Sequence, residues 1–249
     1  MTAVDDIVAF IRQHGSADAE AFVGVSPEQI ARCEELCSAT LPTLYREFLA
    51  AMGGDCGAFH PFGIGQLCDF EALVQRLPAA NYPGDRYFRV SFESSPAAIT
   101  YYDIFLDLRR SDGTDAPLVR FEDDEEFSAD AVQEVGFTLG EELARSAFEQ
   151  FEVVRRPASK RLAIFAESVA GLAAAARRIA AQLRERGLAE ALPGLPRIVC
   201  LHSESLSVLI ERREALGLLQ VVVGAKTARA ASGLVEVLLA EYPEARMVE

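Results

Sequence analysis

The sequence predicts an α+β protein of two domains, and three observations carry that expectation. Residues 2 to 77 are patterned as short amphipathic helices, residues 87 to 122 turn to β-rich runs split by turn residues, and residues 160 to 249 alternate strands with two longer helices. A chain of 249 residues that is 50% hydrophobic is long enough for two cores. The expected domains are 1–155 and 160–249, with the Arg-Arg-Pro-Ala-Ser-Lys stretch between them as linker.

Residues 2 to 14 read as a helix that Thr2 caps, with Asp5 and Asp6 in the first turn, Val4, Ile7, Val8 and Ile11 on one face, and Gly15 as the stop. In "SPEQIARCEEL" Ser26 is the cap, Pro27 the first helical residue and Gln29 the third, a capping box; Ile30, Cys33 and Cys37 form the apolar stripe. After Pro42, the spacing of Leu41, Tyr45, Phe48, Leu49 and Met52 predicts a third helix ending at Gly53-Gly54. Asp69 opens a fourth, "DFEALVQRL".

From Tyr87 the runs "YFRVSF", "ITYYDIFLDLR" and "APLVRFE" predict an antiparallel sheet, with "RRSDGTDAP" as the turn between the last two. "GEELARSAFEQF" returns to helix. In the tail, "RLAIFA" is a strand and "SVAGLAAAARRIAAQLRERG" a helix closed by Gly187. The strands "RIVCLHS", "SLSVLIER" and "LLQVVVGA", a helix over "KTARAASGLVEVLLAEYP" and a last strand "ARMVE" follow. That order resembles a ferredoxin-like α/β sandwich with an added strand.

Charge is unevenly divided. Residues 1–155 hold 11 Lys and Arg against 28 Asp and Glu, a net of −17, whereas residues 156–249 hold 13 against 10, a net of +3. Such an acidic field repels nucleic acid and anionic membrane and steers a basic protein toward the surface; it also serves solubility. The longest apolar tract is broken by Arg177-Arg178 and is too short for a membrane span, and acidic residues stand where a signal peptide carries positive charge. A cytoplasmic protein is expected. Five scattered cysteines predict free thiols, and 22 Arg against 2 Lys with abundant Ala points to a GC-rich bacterial coding sequence.

The helix "SPEQIARCEEL" with Ile30 and Glu34, then Leu41-Pro42, Tyr45, Phe48-Leu49 and the Gly53-Gly54 stop, resemble the SUKH superfamily, which is named partly for a yeast regulator of cell-wall synthesis. "DIFLDLRRSDGTDAPLVRFEDD" is similar to the strand, turn and strand of that family, and the resemblance covers roughly residues 20 to 152. It implies a non-catalytic protein-binding domain, of the kind that serves in bacteria as an immunity protein against a co-encoded toxin, often a nuclease or deaminase. A highly acidic face suits a basic, nucleic-acid-directed toxin.

Candidate chemistry is sparse. Cys33, Cys37, Cys56, His60 and Cys68 are soft ligands for zinc, but the first two sit on a buried helical stripe and none forms a C-x2-C knuckle, so they read as small buried hydrophobes. Gly53-Gly54, with Asp55 and Gly57, end a helix instead of opening one, which removes the phosphate-loop reading. "CLHSES" places His202 beside Ser203 and Ser205 without a nucleophile elbow, and adjacent strand residues face opposite ways, so it reads as a strand end. The carboxylates Glu122, Asp123, Asp124, Glu125 and Glu126 form a solvated loop or a contact surface for a basic partner, which Asp103 and Asp107, on one side of a strand, would extend. Arg177, Arg178, Arg184 and Arg186 make a basic helix edge.

The sequence therefore predicts a binding protein with no enzymatic site, cofactor or metal, whose partner is a protein, possible homodimerisation through the tail included, and not nucleic acid or membrane. The alternatives are a regulator or scaffold whose C-terminal module dimerises or senses a ligand, and a zinc protein built on the Cys/His cluster.

Overall fold

The side-chain patterns above resolve into seven helices and two antiparallel sheets among the described residues, an α+β fold. The structure is a computed structural model and describes residues 4–15, 21–77, 81–94, 102–121 and 127–248. The chain divides between Ser146 and Ala147 into two compact units.

In the first unit, helix α1 (Val4–His14) buries Val4, Ile7, Val8 and Ile11 as their spacing predicts, together with Phe10. Helix α2 (Pro27–Cys37) starts at Ser26, whose hydroxyl accepts from Gln29 N at 3.3 Å while Gln29 Oε1 accepts from Ser26 N at 3.1 Å, so the capping box is complete. Helix α3 (Thr43–Met52) buries Leu44, Tyr45, Phe48, Leu49 and Met52, and α4 (Phe70–Arg76) is capped by Asp69 through Ala72 N at 2.8 Å.

The sheet of this unit is a meander of β1 (Gln66–Leu67), β2 (Tyr87–Glu93), β3 (Asp103–Asp107), β4 (Pro117–Phe121) and β5 (Gln133–Thr138), paired in that order. The sequence pattern foretells β2 to β4; β1 and β5 are additions. Both faces of the sheet are largely buried along β2 and β3. Alternation puts Phe88, Val90 and Phe92 on the face toward α3, where the Tyr45 and Phe88 rings lie 5.5 Å apart, while Tyr87, Phe105, Val119 and Phe121 join Tyr82 in an aromatic cluster on the other. Helix α5 (Leu139–Phe148) follows and continues as one π-helical stretch, Glu149–Val153.

The second unit is a six-stranded sheet in the order β11-β6-β10-β9-β8-β7. Its elements are β6 (Ala158–Phe165), α6 (Val169–Glu185), β7 (Ala189–Glu190), β8 (Ile198–His202), β9 (Leu206–Arg213), β10 (Leu218–Ala225), α7 (Ala228–Glu241) and β11 (Arg246–Val248). Reading β6, β9, β10 and β11 as strands one to four gives the order 4-1-3-2 with helices after the first and third, the ferredoxin-like arrangement. β7 and β8 extend one edge, so two strands are added where the sequence predicts one. Leu162, Ile164, Val208, Ile210, Leu219, Val221 and Val223 face α6 and α7, whose Leu172, Ile179, Leu183, Leu234 and Leu238 complete the core.

The Arg-Arg-Pro-Ala-Ser-Lys stretch is structured throughout. Arg156 is held by an ion pair and β6 already begins at Ala158, so the division falls earlier in the chain than the stretch with linker composition.

Candidate functional site

The residues that carry the family resemblance do structural work around α3. Its first turn has no side-chain cap; instead Thr43 N donates to Gly113 O at 3.1 Å and Leu44 N to Thr114 O at 2.9 Å, so the turn between β3 and β4 supplies the missing acceptors. Glu34 Oε1 accepts from Leu41 N at 2.9 Å, which fixes the α2–α3 connection, and Leu41 and Pro42 are buried. At the other end Gly53 has an ordinary right-handed φ of −67°, so left-handed backbone is not what requires glycine. Close approach is. A Cβ on Gly53 would lie 2.7 Å from Leu49 Cα, and one on Gly24 would lie 1.9 Å from Ala50 O, because the chain at Val23–Val25 runs against the end of α3: Val25 N donates to Leu49 O and Gly54 N to Val23 O.

Four cysteines lie around the buried Tyr45, whose hydroxyl is pushed well above the ordinary tyrosine range, first by burial and then by those neighbouring thiols. They form two pairs. A hydrogen bond from Cys33 to Cys37 raises the Cys33 thiol and lowers that of Cys37. Cys56 and Cys68 have sulfurs 3.5 Å apart, and that contact, with burial, raises Cys56. Among the described residues no three of Cys33, Cys37, Cys56, His60 and Cys68 bring ligand atoms within 4.8 Å of one another, and His60 is exposed.

The acidic candidates divide. Glu122, Asp123, Asp124, Glu125 and Glu126 lie outside the described residues. Asp103 and Asp107 do share a sheet face, but that face is covered: they are 7% and 1% exposed. Asp103 pairs with Arg89 at 3.1 Å and Asp107 with Arg86 at 3.3 Å, so neither extends a contact surface. The aromatic cluster of Tyr82, Tyr87, Phe105 and Phe121 sits on the same face.

In the second unit, the strand end "CLHSES" belongs to a polar network. Glu152, on the π-helical stretch, accepts from Ser207 Oγ at 2.6 Å and from Arg156 Nη2 at 2.9 Å, and His202 Nδ1 lies 3.8 Å away. Arg156 also donates to the carbonyls of Ser203 and Glu204 and to Ser207 Oγ, clamping the β8–β9 turn. Ser203 Oγ bonds within the turn, to Leu206 O and N at 3.3 and 3.2 Å, and the fully buried Ser207 meets the Glu152 carboxylate. Sequence reasoning missed Glu152 and Arg156 because, beyond their own i,i+4 pair, their partners Ser203 and Ser207 lie 47 to 55 residues along the chain. On α6, Arg184 pairs with Glu190 at 2.6 Å and Arg178 donates to Tyr242 Oη at 2.8 Å; Arg177 and Arg186 are exposed.

The chain is an α+β protein, and no helix among the described residues is long and apolar enough to cross a membrane. No family model, curated protein or solved structure matches the chain.

Proposed function

We propose that the chain acts by binding a basic protein and that it is a bacterial immunity protein that neutralises a co-encoded toxin. The observation that carries this reading is the segregation of charge, −17 over residues 1–155 against +3 over the rest. Burial of Asp103 and Asp107 leaves the described acidity of the first unit to exposed side chains such as Glu28, Glu35, Glu47, Asp55, Asp69 and Glu71 on and around the helices. The resemblance of residues 20 to 152 to SUKH domains supports the same reading. Carboxylates distributed over rigid helices present a fixed negative potential to a surface evolved to hold nucleic acid, which favours fast association and selects against acidic partners.

The test is co-expression. The product of the adjacent gene, expressed alone, arrests growth, and this chain restores it while forming an isolable complex. A neighbour that is harmless, or whose toxicity persists without complex formation, contradicts the proposal.

A second reading has its own support in the second unit. Strand β11 is a sheet edge of three exposed residues, with Met247 45% and Val248 40% exposed, and such an edge suits self-association. A concentration-independent monomer mass in sedimentation would remove it.

A further inference from the structure

Cys56 and Cys68 bring their sulfurs together from two segments 12 residues apart, whereas Cys33 and Cys37 share one helix. The two Sγ atoms lie 3.5 Å apart, and Cys56 Sγ also donates to Met52 O at 3.2 Å. Either sulfur of the Cys56–Cys68 contact can be the donor, so the Cys56 proton is shared between Met52 O and the Cys68 sulfur. The backbone around them is held independently of the sulfurs. Phe70 N donates to Gly53 O at 3.0 Å, Gly57 N to Asp55 Oδ1 at 2.8 Å, and Asp69 caps α4. Phe59 and Phe62, in the loop between the two cysteines, are buried. A disulfide needs sulfurs about 2.05 Å apart, so the two side chains have about 1.5 Å to close.

Cys33 and Cys37 provide the contrast. They stand four apart on α2, where Cβ atoms are about 5–6 Å apart, beyond the ~3.5–4.5 Å that a disulfide spans. Closing that pair would unwind the helix. Cys200 is fully buried in the second unit.

We infer that Cys56 and Cys68 are an oxidation site, at which a peroxide converts the dithiol into an intramolecular disulfide joining the end of α3 to the start of α4. Cys68, as thiolate, attacks one peroxide oxygen and the O–O bond breaks, leaving a sulfenic acid on Cys68 and a hydroxide that takes up the thiol's proton. The Cys56 sulfur then attacks the Cys68 sulfur, the S–O bond breaks, and hydroxide leaves as water with the Cys56 proton. Two thiols and one hydrogen peroxide give one disulfide and two waters; the sulfurs lose two electrons and the peroxide gains them. Cys56 takes the second role because its thiol is held protonated by the contact with Cys68 and by burial. Residual exposures of 9% and 8% admit a small oxidant. Closure staples the loop that carries β1 and Ile64, the latter 91% exposed.

The full-length chain is treated with hydrogen peroxide, unfolded, alkylated and mapped by mass spectrometry. Two of the five cysteines should escape alkylation, in one peptide pair linking Cys56 to Cys68 that a dithiol reductant separates. The melting temperature should rise on the order of 5 °C. Cys68→Ser should abolish the link and Cys33→Ser should leave it. Free, alkylated Cys56 and Cys68 after oxidation, a Cys33–Cys37 link, or an intermolecular disulfide would overturn the inference. The wild-type peptide map decides even where Cys68→Ser does not fold.

Discussion

Arg89 and Asp103 form an ion pair inside the first unit: Arg89 Nε lies 3.1 Å from Asp103 Oδ2, and the guanidinium sits 5.4 Å from the Tyr82 ring and 5.5 Å from that of Phe105. With exposures of 2% and 7%, both residues are buried. Removing one member of such a pair leaves a desolvated charge, so Asp103→Ala should cost about 3 kcal/mol in chemical denaturation. Retained stability together with a lost partner affinity would mean that Asp103 is a contact residue after all.

The junction beside α3 makes a graded forecast. Gly24→Ala places a methyl group 1.9 Å from Ala50 O and should lose about 3 kcal/mol, whereas Gly54→Ala meets Val23 O at 3.1 Å and should lose under about 1 kcal/mol. Equal midpoints for the two variants in urea would contradict the close-approach account of these glycines.

In the second unit Arg156 clamps Glu152 and the β8–β9 turn, so Arg156→Met should destabilise by about 3 kcal/mol. Ser207→Ala should lose only about 1 kcal/mol, measured by the same denaturation. An esterase or peptidase activity that Ser207→Ala abolishes would overturn the structural assignment of this network.

Asp115 makes a pH-dependent forecast. It accepts from Ala116 N at 2.8 Å and from Gly140 N at 3.2 Å, yet burial dominates and raises its pKa above the ordinary carboxylate value. The folded state therefore holds this proton more tightly than the unfolded chain does. Its contribution is largest below the unfolded pKa of about 3.9 and is lost as pH rises through the folded value. Comparing the urea midpoints of wild type and Asp115→Asn should show a difference that changes as pH rises above the unfolded value; a difference flat over the whole range would contradict it.

Much of the fold is legible because local physics wrote it. Ser26, Pro27 and Gln29 mark the start of α2, the stripe from Tyr45 to Met52 marks α3, and the apolar runs of β9 and β10 mark a sheet centre. β1 and β7, of two residues each, carry too little pattern to be read. β5, "QEVGFT", buries only Phe137 and shows no alternation. Alternation placed Asp103 and Asp107 on one face but could not say what covers it; Tyr82, from outside the strands, does. Arg156 looked like part of a linker because nothing local betrays partners 47 to 51 residues away.

The most direct test of the account is the affinity of the adjacent-gene product for this chain, measured by calorimetry across a salt series and repeated with Glu35→Gln, Glu47→Gln and Glu71→Gln combined. The account predicts tight binding that weakens steeply as salt rises, with the neutralised variant binding more weakly and with a shallower salt dependence. Binding that is absent, or that is indifferent to both salt and the three substitutions, would contradict it.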